Sequence, residues 1–385
     1  MKYFTEIVGL RIYLALWVAV GHGLQLAGFL APTNLLMDIL LSGSDAVAVF
    51  MIVSGFVITN LLLSKQESYA RYITRRFFRL YPAYVVCCII GYFLADDWVR
   101  IVDEAPWRAM EGWANYAAGV HELRDEVTLR LAPHIALHAT MLHGLVPVEV
   151  LNRAAMTFVP AAWSISLEWQ FYLVAPLVLI AVRRPAALAA AALISLLVHY
   201  AYYHGWFGSY NIGSMLAGAT PWFAIGIASR LSYDRLAALT VSPAAAAAVA
   251  TFALLTLTNR WMPTLVWCVF YSYCLWGRHG GVDGRLFRLA FTSRPTMLLG
   301  EASYSLYLIH RPMQVLLGAL ALGTIATDRT SMLAIQFAAI AVALPLSVAM
   351  YFFIERPGVR LGAAVARRLP GAGAPARPSP APSSV

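Results

Sequence analysis

The sequence predicts an all-α, polytopic membrane protein with about ten transmembrane helices. Three observations carry this: composition, recurring apolar runs, and the side on which the basic residues fall. Of 385 residues, 60% are hydrophobic and 12% charged, against roughly half and a quarter in an ordinary soluble domain. A soluble core of this length has no means of hiding so much apolar surface, and a disordered chain needs the opposite composition.

Apolar runs of about 20 residues, the length that crosses a bilayer, fall near 7–28, 43–64, 81–95, 162–181, 186–203, 212–230, 243–258, 261–277, 296–321 and 331–354. The first contains Arg11 and His22 and lacks a small-x-small cleavage site, so it is read as a retained helix rather than a signal peptide. An even count puts both termini on one side. Placing the N-terminus in the cytoplasm collects there Lys2, Lys65, Arg71, Arg75, Arg76, Arg79, Arg183, Arg184, Arg230, Arg235, Arg278, Arg285, Arg288 and Arg294. The other side receives Arg260, Arg329 and an outer loop at about 96–161, whose five arginines face nine carboxylates. The positive-inside rule therefore orients the chain N-in and C-in, in the cytoplasmic (inner) membrane. The same asymmetry accounts for the net charge of +9 without nucleic acid. Residues 1–360 form the membrane domain, and 361–385 are expected to be a disordered cytoplasmic tail, rich in Pro, Ala, Gly and Ser from 369 on. No internal repeat is evident.

Ionisable groups inside a bilayer are expensive and mark function by default. His22, Glu168 and His310 stand out. At 1.5 Å per residue, His22 lies about 22 Å and His310 about 21 Å from the cytoplasmic edges of their helices, and Glu168 about 9 Å from the outer edge, which suggests one shared polar layer. Arg11 and His22 lie on nearly the same face of the first helix, about 16 Å apart. Arg11 is read as meeting an anionic ligand with His22 as general base, or as snorkelling to the interface while His22 bonds another helix.

The stretch YARYITRRFFRLYPAY at 69–84 puts Arg71, Arg75 and Arg79 on one helical face beside Arg76, with Pro82 ending the helix. Its forks suit the phosphates of a nucleotide-like donor such as coenzyme A, or serve as a topology signal touching lipid headgroups. Ser303, Tyr307 and His310 make a polar stripe that Pro312 is placed to kink: catalytic, or a hydrogen-bonding seam between helices. His134, His138 and His143 lack a carboxylate in a defined motif, so an amphipathic surface helix is expected there and no metal. Cys87, Cys88, Cys268 and Cys274 show neither disulfide nor zinc spacing.

Six segments taken in order resemble the integral-membrane acyltransferases of acyltransferase family three, which include O-acetylases of polysaccharides, lipopolysaccharide and nodulation oligosaccharides. They are GLRIYLALWVAVGH with Arg11 and His22, FMIVSGFVIT at 50–59, RRFFRLYPAY at 75–84, WSISLEWQFY at 163–172, SYSLYLIH at 303–310 and IERP at 354–357. The resemblance spans 9–357. It implies a ten-helix membrane domain that transfers an acyl group from cytoplasmic acyl-CoA, most often to a carbohydrate hydroxyl. It points to His22 as the catalytic histidine, with Arg11 as its functional partner, and makes Arg75, Arg76, Arg79 and Tyr81 donor-site candidates. The chain departs from the pattern at Ala48, where many members carry an acidic residue; Asp45 is nearby but out of register. It also ends soon after the last span, so the membrane domain and outer loop are expected to handle the acceptor.

The expected activity is O-acyl transfer from acetyl-CoA, a co-substrate rather than a resident cofactor, to a carbohydrate or glycoconjugate. Ser54, Ser303, Tyr304, Tyr307 and His310 are candidates for holding substrate or oxyanion, and Glu168 for fixing the tautomer of His22 or His310. The competing class is a transporter or flippase in which the buried His, Glu and Arg form a proton or substrate path.

Overall fold

The computed structural model describes residues 4–65, 67–182, 184–258, 260–277 and 281–370. Lys2, Arg183 and Arg278 of the charge argument, and 371–385 of the expected tail, lie outside the described residues. The molecule is all-helical: among the described residues the only β feature is an isolated bridge between Leu322 and Ala326.

The first two apolar runs become α1 (Thr5–Leu26) and α3 (Gly43–Ser64), joined by a short α2 (Leu35–Leu41) that Asn34 caps through Met37 N at 3.0 Å. The third run was expected as a short span at 81–95 after a separate basic helix. Instead α4 runs unbroken over Tyr69–Phe93, through Pro82, and bends by 47° into α5 (Ala95–Glu104). Proline frees the carbonyl four residues back, that of Phe78. Here Gly358 packs directly over that carbonyl and the Pro82 ring, leaving no room for a side chain. A neighbouring helix thus covers what the proline exposes, as membrane helices allow.

The outer loop is itself largely helical, with α6 over Trp113–Ala139 and short 3-10 turns before α7 (Trp163–Val182). Then follow α8 (Pro185–Tyr203), α9 (Leu216–Leu236), α10 (Pro243–Thr258), α11 (Trp261–Trp276) and α12 (Val282–Thr292). The run at 296–321 is not one helix. It breaks at Ala302 between α13 (Arg294–Glu301) and α14 (Ser303–Ala321). The last run is longer than expected: α15 (Arg329–Met350), a π turn (Tyr351–Glu355) and α16 (Arg356–Arg368) form one 40-residue helix. Pro357 has no N–H to give Phe353, and the widened turn absorbs that loss. The expected disorder from 361 is therefore corrected as far as Arg368.

By length and apolarity, four helices among the described residues suffice to cross a membrane: Thr5–Leu26, Gly43–Ser64, Ala186–Tyr203 and Arg329–Arg368, or five if α4 and α5 count as one bent span. Leu193, Leu196 and Leu197 of α8 and Phe252 of α10 are exposed, a pattern that suits lipid rather than water. Inside, helices meet closely at small residues. A Cβ on Gly226 of α9 would fall 2.0 Å from the Ile52 carbonyl oxygen of α3, and one on Gly55 2.5 Å from that of Phe223. Such close backbone approach is how helices associate without a hydrophobic drive. It sets α3, and with it Ser54, firmly against its neighbours.

Candidate active site

A cavity with about 700 Å³ of empty volume, open on one side, gathers residues from five helices. Helix α1 contributes Arg11, α3 Ser54, α4 Arg76 and Arg79, α7 Glu168 and Tyr172, and α14 Ser303, Tyr304 and Tyr307. Of the site candidates read from the sequence, Arg11, Arg76, Arg79, Glu168, Ser54, Ser303, Tyr304 and Tyr307 line this cavity, and His22, His310, Arg75 and Tyr81 do not. Three guanidiniums and one carboxylate line this cavity. Arg79 is neutralised from behind by Glu355 of the π turn, which is 1% exposed and also accepts from Ser305 Oγ at 2.8 Å. Glu168 accepts from Ser54 Oγ at 3.2 Å and from the Tyr172 hydroxyl. Arg76 lies 5.8 Å over the Tyr172 ring. The Nε atoms of Arg11 and Arg76 are buried without a hydrogen-bond partner. Buried donors are normally satisfied, so these two N–H bonds stand available in the cavity; Arg75 Nε, off the cavity wall, also lacks a hydrogen bond but has Glu67 at ion-pair distance.

Glu168 does not hold either histidine, as had been anticipated. Its depth was counted from a helix boundary, whereas the fold sets it at the level of Arg11, with Ser54 and Tyr172 as partners. His22 and His310 do meet: His22 Nδ1 is 3.0 Å from His310 Nε2, with the rings stacked at 5.2 Å. His310 is fully buried, and its Nδ1 lies 3.3 Å from the Leu306 carbonyl. Only a protonated Nδ1 satisfies that carbonyl, which leaves His310 Nε2 as acceptor and makes His22 Nδ1 the donor. His22 Nε2 then carries a free lone pair, the state of a general base. The Tyr307 ring, which lines the arginine cavity, lies 6.0 Å from that of His310.

The expected oxyanion hydroxyls are otherwise engaged. Ser303 Oγ donates to the Gly300 carbonyl at 2.7 Å, Tyr304 to that of Leu80 at 2.7 Å, and Tyr307 to that of Ala161 at 2.9 Å. With Ser54 given to Glu168, Arg11 and Arg76 are the cavity arginines that keep a buried Nε–H without a partner. Two donor-site candidates lie off the cavity wall: Arg75 pairs with Glu67 at 3.5 Å, and Tyr81 stacks on Phe77 at 4.5 Å. Asp45 is bonded to Arg260 at the start of α3 and does not line the arginine cavity. Sequence reasoning missed Glu355 and Arg311. Glu355 lay in the quoted IERP segment, and Arg311 is a charge in mid-helix beside His310, itself a signal.

His134, His138 and His143 are not on a surface helix face but buried. The Tyr84 hydroxyl lies 2.6 Å from His138 Nδ1 and 3.3 Å from His143 Nδ1, and the two imidazoles stack at 4.0 Å. His134 Nδ1 meets Thr157 Oγ1 at 2.9 Å. Among the described residues no group of three or more His, Cys, Asp or Glu is arranged to hold a metal. Burial pushes His143 down to about 4 and His138 well below the ordinary imidazole range. Both are neutral in the fold but bind a proton near 6.5 once unfolded. Stability is thus fully present above that value and is lost as pH falls toward about 4, His143 alone accounting for about 3 kcal/mol. The melting temperature of the detergent-solubilised protein is expected to drop over that window, and the drop to shrink in His143→Gln.

A family model described as an acyltransferase domain, that of acyltransferase family three, matches residues 4–352. A protein of Haemophilus influenzae named only as uncharacterized is 24% identical over 136 residues, which are 34% of this chain and 47% of that protein. The chain thus spans about half the length of that curated relative. No solved structure matches. An apolar all-helical bundle is thus matched along nearly its whole length by one acyltransferase-domain model. The chain belongs to acyltransferase family three.

Proposed function

We propose that the protein transfers an acyl group, acetyl in the first instance, from cytoplasmic acyl-CoA to a hydroxyl of a carbohydrate or glycoconjugate. In this reading it spans the inner membrane about ten times with both termini in the cytoplasm. The observation that carries it is the pair of unpartnered buried guanidinium nitrogens, Arg11 Nε and Arg76 Nε, in a cavity one aromatic ring from the His22–His310 pair. Arginines of this kind suit the phosphates of coenzyme A. His22 Nε2 takes the proton of the acceptor hydroxyl as its oxygen attacks the thioester carbonyl. The C–S bond then breaks, the ester remains on the acceptor, and the protonated His22 returns its proton to the leaving thiolate. His310 is a positioning residue, holding His22 in the tautomer that leaves Nε2 basic.

Acetyl-CoA labelled in the acetyl group, incubated with purified protein and a cell-envelope glycan extract, tests the reading. Label is expected in the glycan as an alkali-labile ester, with one free thiol released per ester formed. A thioester left intact while label crosses the membrane would instead identify a transporter.

A further inference from the structure

A second cavity, with about 470 Å³ of empty volume, lies toward the opposite end of α14 from Ser303, against the bend between α4 and α5. Its walls include Gly91, Leu94, Trp98, Arg124, Phe158 and Arg311. Arg311 is 3% exposed. Among the described residues no carboxylate lies within ion-pair distance of it, whereas Arg124 at the same cavity is paired with Asp96 at 2.5 Å. The Arg311 guanidinium gives one bond to the His22 carbonyl at 3.1 Å and one to the Tyr116 hydroxyl at 2.6 Å, and its central carbon lies 4.4 Å over the Trp98 ring. A guanidinium carries five N–H donors, more than those two acceptors use. A buried charge without a counter-charge is costly to keep, and this one adjoins His310 in sequence and is bonded to the backbone of His22.

We propose that this cavity receives the acceptor and that Arg311 selects an acidic saccharide, one whose carboxylate sits beside the hydroxyl to be acylated. The inference rests on the acyl-transfer reading above and names the acceptor class for it. Neither cavity is lined by the histidine pair itself, and each adjoins it through one residue: the arginine cavity through Tyr307, whose ring is 6.0 Å from that of His310, and this one through Arg311, bonded to the His22 carbonyl. A carboxylate held in the fork of Arg311 supplies the missing counter-charge and brings a neighbouring hydroxyl toward the residue that must deprotonate it. Trp98, with its ring under the guanidinium, helps to hold Arg311 in place.

The test is binding of trigalacturonate and of its methyl ester, the same sugar without charge, to the purified full-length protein, with coenzyme A binding measured alongside. The acid is expected to bind roughly 10- to 100-fold more tightly than the ester. Arg311→Gln is expected to erase that preference while coenzyme A affinity is unchanged, and Arg311→Lys to keep part of it. Equal binding of acid and ester by the unmodified protein overturns the proposal without any variant. So does a preference that survives in folded Arg311→Gln, which would give Arg311 a structural role only. Thiol release stimulated equally by acid and ester would leave acyl transfer standing and remove this inference. A charge preference lost with Arg311 in a protein that releases no thiol would keep the anion site and remove the acyl-transfer reading.

Discussion

Replacing His22 with alanine is expected to lower turnover by roughly 10²–10⁴-fold, the usual contribution of a positioned base, while acyl-CoA binding persists. The side chain is half-buried and its one polar contact is His310, so removal leaves a small gap rather than an uncompensated charge. His310→Ala is expected to lose part of that rate, because His22 Nδ1 then lacks the acceptor that fixes its tautomer. His310→Gln restores an acceptor oxygen on a flexible arm and should recover activity above the alanine level. A purely packing role for His310 gives the acceptor atom no part, so the pH dependence of kcat/KM in His310→Gln would then match that in His310→Ala. Steady-state kinetics of the three variants, with the pH dependence of kcat/KM for each, decide between the two.

The second large effect is on the donor. Arg11→Gln and Arg76→Gln each remove a guanidinium with an unpartnered buried nitrogen. A hydrogen bond to a charged group contributes about 1.5–3 kcal/mol, so the KM for acyl-CoA is expected to rise roughly 10- to 100-fold in each variant. Arg79 behaves differently because it is already paired. Its loss leaves Glu355 buried with no counter-charge, a defect of about 3–5 kcal/mol, and the expected result of Arg79→Gln is a lower melting temperature rather than a clean binding defect. Arg75, paired with Glu67 and off the cavity wall, is expected to leave the KM near its original value when changed to Gln. A phosphate-binding role carried by the whole basic stretch would instead raise the KM for Arg75 and Arg76 alike.

The contrast within that stretch shows what sequence carries and what it does not. Four arginines and a proline at 71–82 announced a basic helix at a membrane surface. Which of them faces a ligand is decided by partners far away in the chain, Glu355 for Arg79 and Tyr172 for Arg76. The effect of Pro82 was misjudged for the same reason, because Gly358 covers the carbonyl it frees. Hydropathy placed most helices to within a few residues, since the bilayer fixes their length and backbone bonds are satisfied within each one. It placed Glu168 poorly, because depth was counted from an assumed helix end while tilt and packing decide what a side chain meets. Depth alone put His22 and His310 in one layer; that they meet, at 3.0 Å, is a finding of the fold. Arg311 escaped notice although it stands in mid-helix beside His310, where a buried charge is the clearest mark of use.

The central claim is that this bundle consumes an acyl thioester through His22. It is tested most directly by measuring free coenzyme A released from acetyl-CoA by purified, detergent-solubilised protein, with and without cell-envelope glycans, beside His22→Ala under the same conditions. The account predicts release that depends on the glycans and disappears in the variant, with acetyl-CoA binding retained by both proteins. Equal release by both, or unmodified protein that is folded yet neither binds nor cleaves acetyl-CoA, would contradict it.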